Sequence, residues 1–461
     1  MPGLSARSLA GVWHPCTQMG LLDDAPLLAL ARGEGPWLFD IDGRRYLDAI
    51  SSWWVNLFGH ANARISAAVA DQLGRLEHVL LAGCTHEPVV ELSERLSALT
   101  GGTLGHCFYA SDGASAVEIA LKMSVHWWRN HGMAERNEFV CVAGGYHGET
   151  TGALAVTDVP LFREAYAPML RSAHRVMSPD ARQAGSGETA SGVAARAATQ
   201  IAQLLETRGD RIAALILEPL VQCAGGMAMH DASYLAEVRR LCTLHGVHLI
   251  ADEIAVGFGR TGSFFACEQA GIWPDFLCLS KGLSGGYLPL SVVLSRDEIY
   301  QGFLDTRIER GFLHSHSFTG NPLACRAALA SLDIFEEDRV IEANHARAAV
   351  IADALTPLRA DPRIAHLRQR GMIAAFDVTI DDPALRAGFS RRMHMAAREH
   401  SVLLRPIGTT VYLMPPYVLE PDELRWLVRQ TMTALDQTLA TTRSAAPEAS
   451  AMVQPGPHQM P

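Results

Sequence analysis

"VHLIADEIAVGFGRTG" (247–262) is followed shortly by "FLCLSKGLSGG" (276–286). Each begins as an uninterrupted apolar run and ends in charge: Asp252 and Glu253 in the first, Lys281 in the second. A strand that is apolar without alternation is buried on both faces, as in a parallel sheet covered by helices. Charges at the ends of such strands are costly unless something at that edge uses them. Three more runs of this kind lie upstream: "GHCFYA" (105–110), "EFVCVAG" (138–144) and "IAALILE" (212–218). Between the runs come stretches with helical spacing, such as "SAVEIALKMSVHWW" (115–128) and "ASYLAEVRRLCTLHG" (232–246), the latter closed by Gly246. This alternation predicts an α/β protein with a large domain built on a mostly parallel sheet.

The flanks read differently. "WLFDIDGRRYLDAISSWWVN" (37–56) places an Asp-Gly turn between strand-like arms and predicts a hairpin. Beyond about Val340, helical stretches surround "MIAAFDVTI" (372–380) and "VYLMPPYVL" (411–419), which suits a smaller α+β domain. The expected division is an N-terminal segment, 1–70, that joins the small domain; a large domain, 71–340; the rest of the small domain, 341–440; and a disordered tail, 441–461. The segment 180–192 reads as a surface loop, and no internal repeat is present.

Composition narrows the function classes. The chain has 461 residues, 48% of them apolar, and a formal net charge of −10 with no dense basic patch, so nucleic acid is not an expected partner. Its nine cysteines form no C-x-x-C pair, which predicts reduced thiols and a cytoplasmic location. The start of the chain lacks the apolar core of a signal peptide, and no 18-residue apolar span predicts a membrane helix.

Two glycine motifs fail in their context. Gly257, Gly259 and Gly262 spell G-x-G-x-x-G, yet no long amphipathic helix follows and the acids lie on the wrong side for dinucleotide binding. Gly282, Ser284 and Gly286 spell the G-x-S-x-G of serine hydrolases, but "YLPLSVVL" follows as a strand where that motif needs a helix. Lys281 reads better as an amine desolvated in a cleft, which lowers its pKa and makes it nucleophilic. Asp252 at the end of a buried strand suits a protonated heteroaromatic nitrogen. A lysine for an aldehyde and a carboxylate for a ring nitrogen is the pair that pyridoxal phosphate requires.

A phosphate site fits "YASDGASAVEIALKM" (109–123), where Gly113 and Ala114 can offer backbone N–H groups at a helix start, with Asp112 pointing away. The same residues also suit an ordinary helix start, with Ser115 and Glu118 as a capping box. In "GGYHGET" (144–150), Tyr146 can lie flat on a cofactor ring, with His147 as its neighbour.

"EPLVQCAGGM" (218–227), "DEIAVGFGRTG" (252–262), "LSKGLSGG" (279–286) and "SFTGNPLACRAAL" (317–329) together resemble the class III aminotransferases, which bind pyridoxal phosphate. "WHPCTQM" (13–19), "SSWWVNLFGHAN" (51–62) and "LLRPIGTTVYLMPPY" (403–417) are similar to members that aminate 8-amino-7-oxononanoate in biotin synthesis. The resemblance implies an aspartate-aminotransferase-type fold, with a mixed, mostly parallel sheet, and a homodimer whose active sites lie at the interface. It also implies that Lys281 carries the cofactor, Asp252 meets the ring nitrogen, Tyr146 contacts cofactor or substrate, and Gly113 and Ala114 bind phosphate. Ser315, His316 and Ser317 would come from the other subunit, the last reaching the phosphate. Trp53 would line the substrate site with Cys16, and Arg405 would receive the substrate carboxylate, a task suited to its two-pronged guanidinium. Relatives often carry tyrosine at the place of Cys16 and Gly-Pro-Thr at the place of Ser315–Ser317. A serine hydroxyl can replace that of threonine on a phosphate, whereas cysteine cannot stack on adenine. The implied amine donor is S-adenosylmethionine. Lysine as donor, or another ω-amino acid or diamine activity, is the alternative.

Overall fold

The apolar runs form the centre of the molecule. The computed structural model describes residues 3–23 and 25–444. In chain order its strands begin with β1 (Leu30–Glu34), β2 (Trp37–Asp40) and β3 (Arg45–Asp48). Then come β4 (His106–Ala110), β5 (Glu138–Val142), β6 (His174–Val176) and β7 (Ile212–Leu217), and a short hairpin, β8 (Val221–Gln222) and β9 (Ala228–Met229). The next are β10 (His248–Asp252), β11 (Phe276–Leu279) and β12 (Ser291–Ser295). The last four are β13 (Ile364–Arg370), β14 (Ile373–Val378), β15 (Val402–Leu403) and β16 (Thr410–Leu413).

The main sheet has seven strands in the order β4-β12-β11-β10-β7-β5-β6. Only β12 runs antiparallel to its neighbours, so the other strands all point their C-terminal ends to one edge. Every residue of β7, β10 and β11 is buried. Alternate side chains serve opposite faces. Ala214, Ile216, Ile250 and Phe276 pack with the Gly113–Asn130 helix, while Leu215, Leu217 and Leu249 pack with the Ala190–Arg208 and Ser233–His245 helices. Burying each such leucine or isoleucine contributes about 1.5–3 kcal/mol, which is why these strands carry no polar face. Gly246 ends its helix at φ 60°, as its position in the sequence predicts.

Two smaller sheets join the ends of the chain. β15 pairs in parallel with β3, extending the predicted β2–β3 hairpin, and β13-β14-β16 form an antiparallel sheet. The hairpin turn is built by Asp40, which accepts from the N–H groups of Asp42 and Arg44 and from the Tyr46 hydroxyl.

Three local readings change. The helix after β4 begins at Gly113 with Asp112 as its cap, accepting from Ser115 N and Ser115 Oγ at 2.9 Å each. Glu118 therefore does not close a capping box; it accepts from Gly152 and Ala153 N at the start of the next short helix. The 180–192 loop is anchored at its start, where buried Asp180 pairs with Arg182. At the C-terminal end, the Pro421–Ser444 helix takes in the first residues of the expected tail, and 445–461 lie outside the described residues. Among the described residues no helix is long and apolar enough to cross a membrane, and all nine cysteines are free.

Candidate active site

β10 and β11 are adjacent and parallel, with Asp252 opposite Cys278. Their C-terminal ends therefore deliver Asp252 and Lys281 to the same edge of the sheet. The end of β7 adds Glu218, that of β5 adds Tyr146 and His147, and that of β4 adds Gly113 and Ala114. All seven line one cavity of about 540 Å³, together with Trp54. This is the edge at which open α/β sheets bind ligands.

Lys281 sits in the left-handed region at φ 44°. A non-glycine residue held there costs on the order of 1–3 kcal/mol and persists only where its surroundings over-determine it. Among the described residues its amine makes no hydrogen bond or ion pair, and Nζ lies 5.3 Å from the centre of the Trp54 ring. Burial lowers the pKa of the amine, with Asp252, Cys223 and Glu218 opposing only in part. Nearby Ser284 is buried and donates its hydroxyl to Leu288 O at 2.6 Å, so it is spent on its own turn. The serine-hydrolase reading fails here on geometry as well.

Asp252 is held from two sides. His147 Nδ1 lies 2.8 Å from its Oδ2, and Ile254 N donates to its Oδ1 at 3.1 Å. His147 and Asp252 are both buried, and among the described residues His147 Nε2 has no partner. Glu218 accepts from Tyr146 N and Cys223 N at 3.0 Å each. Burial raises its pKa to about 7; Asp252 adds to the rise, and His147 and the two N–H donors oppose it. Tyr146 donates its hydroxyl to Glu149 at 2.9 Å and meets Phe162 edge-on. Its own pKa is raised, first by burial, then by Glu149, with Cys16 and Asp252 adding smaller repulsions.

At the start of the Gly113–Asn130 helix, Asp112 satisfies the third and fourth N–H groups through Ser115 and Ala116. Gly113 and Ala114 line the cavity, and their N–H groups have no acceptor among the described residues. Gly148, at φ 121°, packs on this turn; a Cβ there would come 2.5 Å from that of Ala114, so only glycine fits.

A second, exposed cluster adjoins the cavity, where Trp53 precedes the lining residue Trp54 and Cys16 lies close enough to Tyr146 to raise its pKa, and forms its mouth. Arg405 donates to Cys16 O at 2.9 Å and stacks on Trp53, with 4.6 Å from its Cζ to the ring centre. It is exposed, and no carboxylate among the described residues pairs with it. Trp53 belongs to a run from Ser51 to Trp54 in which all four residues have φ between 46° and 73°. Left-handed backbone costs L-residues roughly 1–2 kcal/mol each. The turn is held by Ser51 Oγ on Met414 O, Ser52 Oγ on Asp48, and Trp54 Nε1 on the Tyr412 hydroxyl. The fully buried Arg260 adds bonds to the carbonyls of Trp54, Asn56, Met414 and Pro415. The strained turn thus points Trp53 to Arg405 and Trp54 to Lys281.

A family model described as aminotransferase class-III matches residues 22–435. The chain belongs to the class III aminotransferases. Among its curated relatives, the adenosylmethionine-8-amino-7-oxononanoate aminotransferase of Helicobacter pylori is 44% identical over 440 residues, 94% of this chain and 98% of that one. The protein of the same name from Geobacter sulfurreducens is 37% identical over 425 residues, 90% and 94% of the two chains. The crystal structure of the Methanocaldococcus jannaschii protein of that name superposes with a TM-score of 0.88 at 34% identity, covering 94% of this chain and 98% of that one. An (S)-enantioselective omega-transaminase from Thermomicrobium roseum gives 0.90 at 31%, covering 95% and 98%.

Class III aminotransferases work through pyridoxal phosphate, and the residues here fit that group. An amine and two helix-start N–H groups without partners among the described residues line the same cavity as a buried carboxylate, beside a turn that excludes side chains. Of the residues singled out in the sequence, Lys281, Asp252, Tyr146, Gly113 and Ala114 come together in this cavity. Cys16, Trp53 and Arg405 come together at its mouth. Ser315, His316 and Ser317 do not join either group. The two serines are exposed, and His316 Nε2 lies 3.1 Å from that of His314, which contacts Lys122.

Sequence reasoning missed Glu218, Trp54 and the bond from His147 to Asp252. Glu218 carried the signal that found Asp252, an acid at the end of a wholly buried strand. The other two follow only from the fold.

Proposed function

We propose that this aminotransferase moves an amino group from S-adenosylmethionine to 8-amino-7-oxononanoate, giving 7,8-diaminononanoate, and does so as a cytoplasmic homodimer. The observation that carries this reading is Arg405, a guanidinium with no acidic partner among the described residues, stacked on an indole at the mouth of the Lys281 cavity. That pair suits a long apolar chain ending in a carboxylate. The names of the relatives at 37–44% identity support the same acceptor.

When bound, pyridoxal phosphate supplies a reactive aldehyde carbon and a ring that draws electrons from the substrate. The protein's residues do the rest. Lys281, whose amine pKa burial lowers, would hold the aldehyde carbon, and its amine would move the proton at the substrate Cα. Asp252 would keep the ring nitrogen protonated, and His147 fixes the orientation of that carboxylate. Gly113 and Ala114 would donate to the phosphate, and Tyr146 would hold the ring. Glu218 holds Tyr146 in place through its N–H. Ser315, His316 and Ser317 serve the neighbouring subunit, a role supported by none of the three lining their own cavity. Residues 1–70 and 341–440 then form one small domain over a large domain of 71–340, an arrangement supported by the pairing of β3 with β15. Nine free cysteines fit a reducing compartment.

Cys16 favours a second reading of the donor alone. It offers no ring for adenine, so lysine or another amine stands as the alternative. Adding S-adenosylmethionine and lysine separately to the holoenzyme and following the visible absorbance of the cofactor decides between them. Bleaching by the first supports the reading above. Bleaching only by lysine reassigns the donor, and bleaching by neither with turnover of short ω-amino acids reassigns the enzyme.

A further inference from the structure

Arg405 and Lys281 are carried by different sheets, and one polar cluster spans the distance between them. Asp377 on β14 accepts from Thr410 Oγ1 at 2.7 Å, Arg368 Nη2 at 2.9 Å and Arg182 Nη1 at 3.3 Å. Thr410 closes the loop that starts at Arg405: Ile407 and Thr410 exchange backbone bonds at 3.0 and 2.9 Å. On the far side both arginines grip a single loop. Arg182 donates to Gly225 O and Gly226 O at 3.3 Å each, and Arg368 donates to Gly226 O at 2.6 Å and Met227 O at 2.8 Å. Asp180 balances the charge by holding Arg182 Nε.

The gripped loop is packed directly on the segment that carries Tyr146. Gln222 Nε2 donates to Ala143 O at 2.9 Å, and a Cβ at Gly225 would come 2.6 Å from Gly144 O. Glu218, at the loop's start, takes Tyr146 N. A continuous set of polar contacts therefore runs from the loop of Arg405 to the reacting end of the site. None of Asp180, Arg182, Arg368, Asp377 and Thr410 lines the cavity. These pairs are half-buried, and ion pairs taken out of water seldom stabilise a fold more than apolar packing would; their best-attested use is to fix register.

We propose that Asp377 and Thr410 are positioning residues that, through Arg182 and Arg368, fix the separation between Arg405 and Lys281 and so set the chain length of carboxylic acid the enzyme accepts. The proposal rests on the assignment of Arg405 as carboxylate receptor. An acid too short cannot reach the guanidinium while its carbonyl stands at Lys281, and one too long must fold back.

Thr410→Val keeps the branched shape inside β16 and removes only the hydroxyl, while Thr410→Ser retains it. Steady-state kinetics of the holoenzyme are compared with 8-amino-7-oxononanoate, a series of shorter amino-oxo acids, and an acceptor ketone without a carboxylate. Thr410→Val raises KM for the acid of preferred length about five-fold, flattens the preference among lengths, and leaves kcat and the carboxylate-free ketone unchanged. Thr410→Ser behaves as the wild type, and Asp377→Asn repeats the loss of length preference more strongly. Wild-type KM values and length preference in Thr410→Val would overturn the proposal, as would an equal loss on the ketone. If the wild type rejects 8-amino-7-oxononanoate yet ranks other acids by length, the acceptor assignment fails and the ruler stands. If it turns that acceptor over but ranks no lengths, the ruler alone fails.

Discussion

The cavity around Lys281 and the mouth around Arg405 are built on opposite principles. The first collects side chains from the C-terminal ends of parallel strands, and the runs behind Glu218, Asp252 and Lys281 are wholly buried. The second gathers Cys16, Trp53 and Arg405 from three distant stretches, on exposed loops and a left-handed turn. Reaction chemistry thus rests on rigid sheet, and recognition rests on segments held by a few cross-links. Substitutions in the two regions should separate accordingly, with rate lost in the first and affinity lost in the second.

The largest effect is expected at the cavity floor. Lys281→Ala should lower kcat by at least ~10²–10⁴-fold, with the KM of any residual activity little changed, as single-turnover kinetics will read. Glu218 gives the next test, through pH. Folded, it keeps its proton up to about pH 7, whereas the unfolded chain releases it near about 4.3. The folded state therefore loses stability as pH climbs between those values, and the full loss is present above 7. Glu218→Gln removes that loss, gaining on the order of 3 kcal/mol over wild type at pH 8 and nothing at pH 4 in urea unfolding. Buried Glu253, also raised to about 7, keeps a residual slope in both proteins.

At the mouth, Arg405→Ala should raise KM for carboxylate-bearing acceptors about 10–100-fold, the worth of a charge-assisted pair, and spare kcat. A fall in kcat of the same size would break the contrast between the regions. The smallest effect tests strain. Trp53→Gly relieves one left-handed residue and should stabilise the fold by about 1 kcal/mol in thermal unfolding, while weakening the acceptor through loss of the indole.

These differences in construction explain what the sequence disclosed. Uninterrupted apolar runs have one sensible place, the middle of a covered sheet, so β7, β10 and β11 were legible, as were Asp252 and Lys281 at the ends of two of them, whereas Glu218 at the end of β7 was passed over. The Asp-Gly turn of the β2–β3 hairpin was equally plain. The left-handed turn was not, because serine and tryptophan carry no preference for that region and only tertiary bonds from Met414, Tyr412 and Arg260 impose it. Asp112 and Ser115 are both good caps, and the choice fell to Asp112 because Glu118 was engaged by the following helix. Arg405 was found only through likeness to a family, since its partners stand hundreds of positions away in the chain.

The chain contains only two lysines, Lys122 and Lys281, and this makes the central claim open to a single measurement. Borohydride reduction of the enzyme loaded with pyridoxal phosphate, followed by digestion and mass spectrometry, fixes the cofactor to whichever amine holds it. The account predicts the adduct on the peptide containing Lys281, with Lys122 unmodified and turnover abolished. An adduct confined to Lys122, or none on a fully active enzyme, would contradict it.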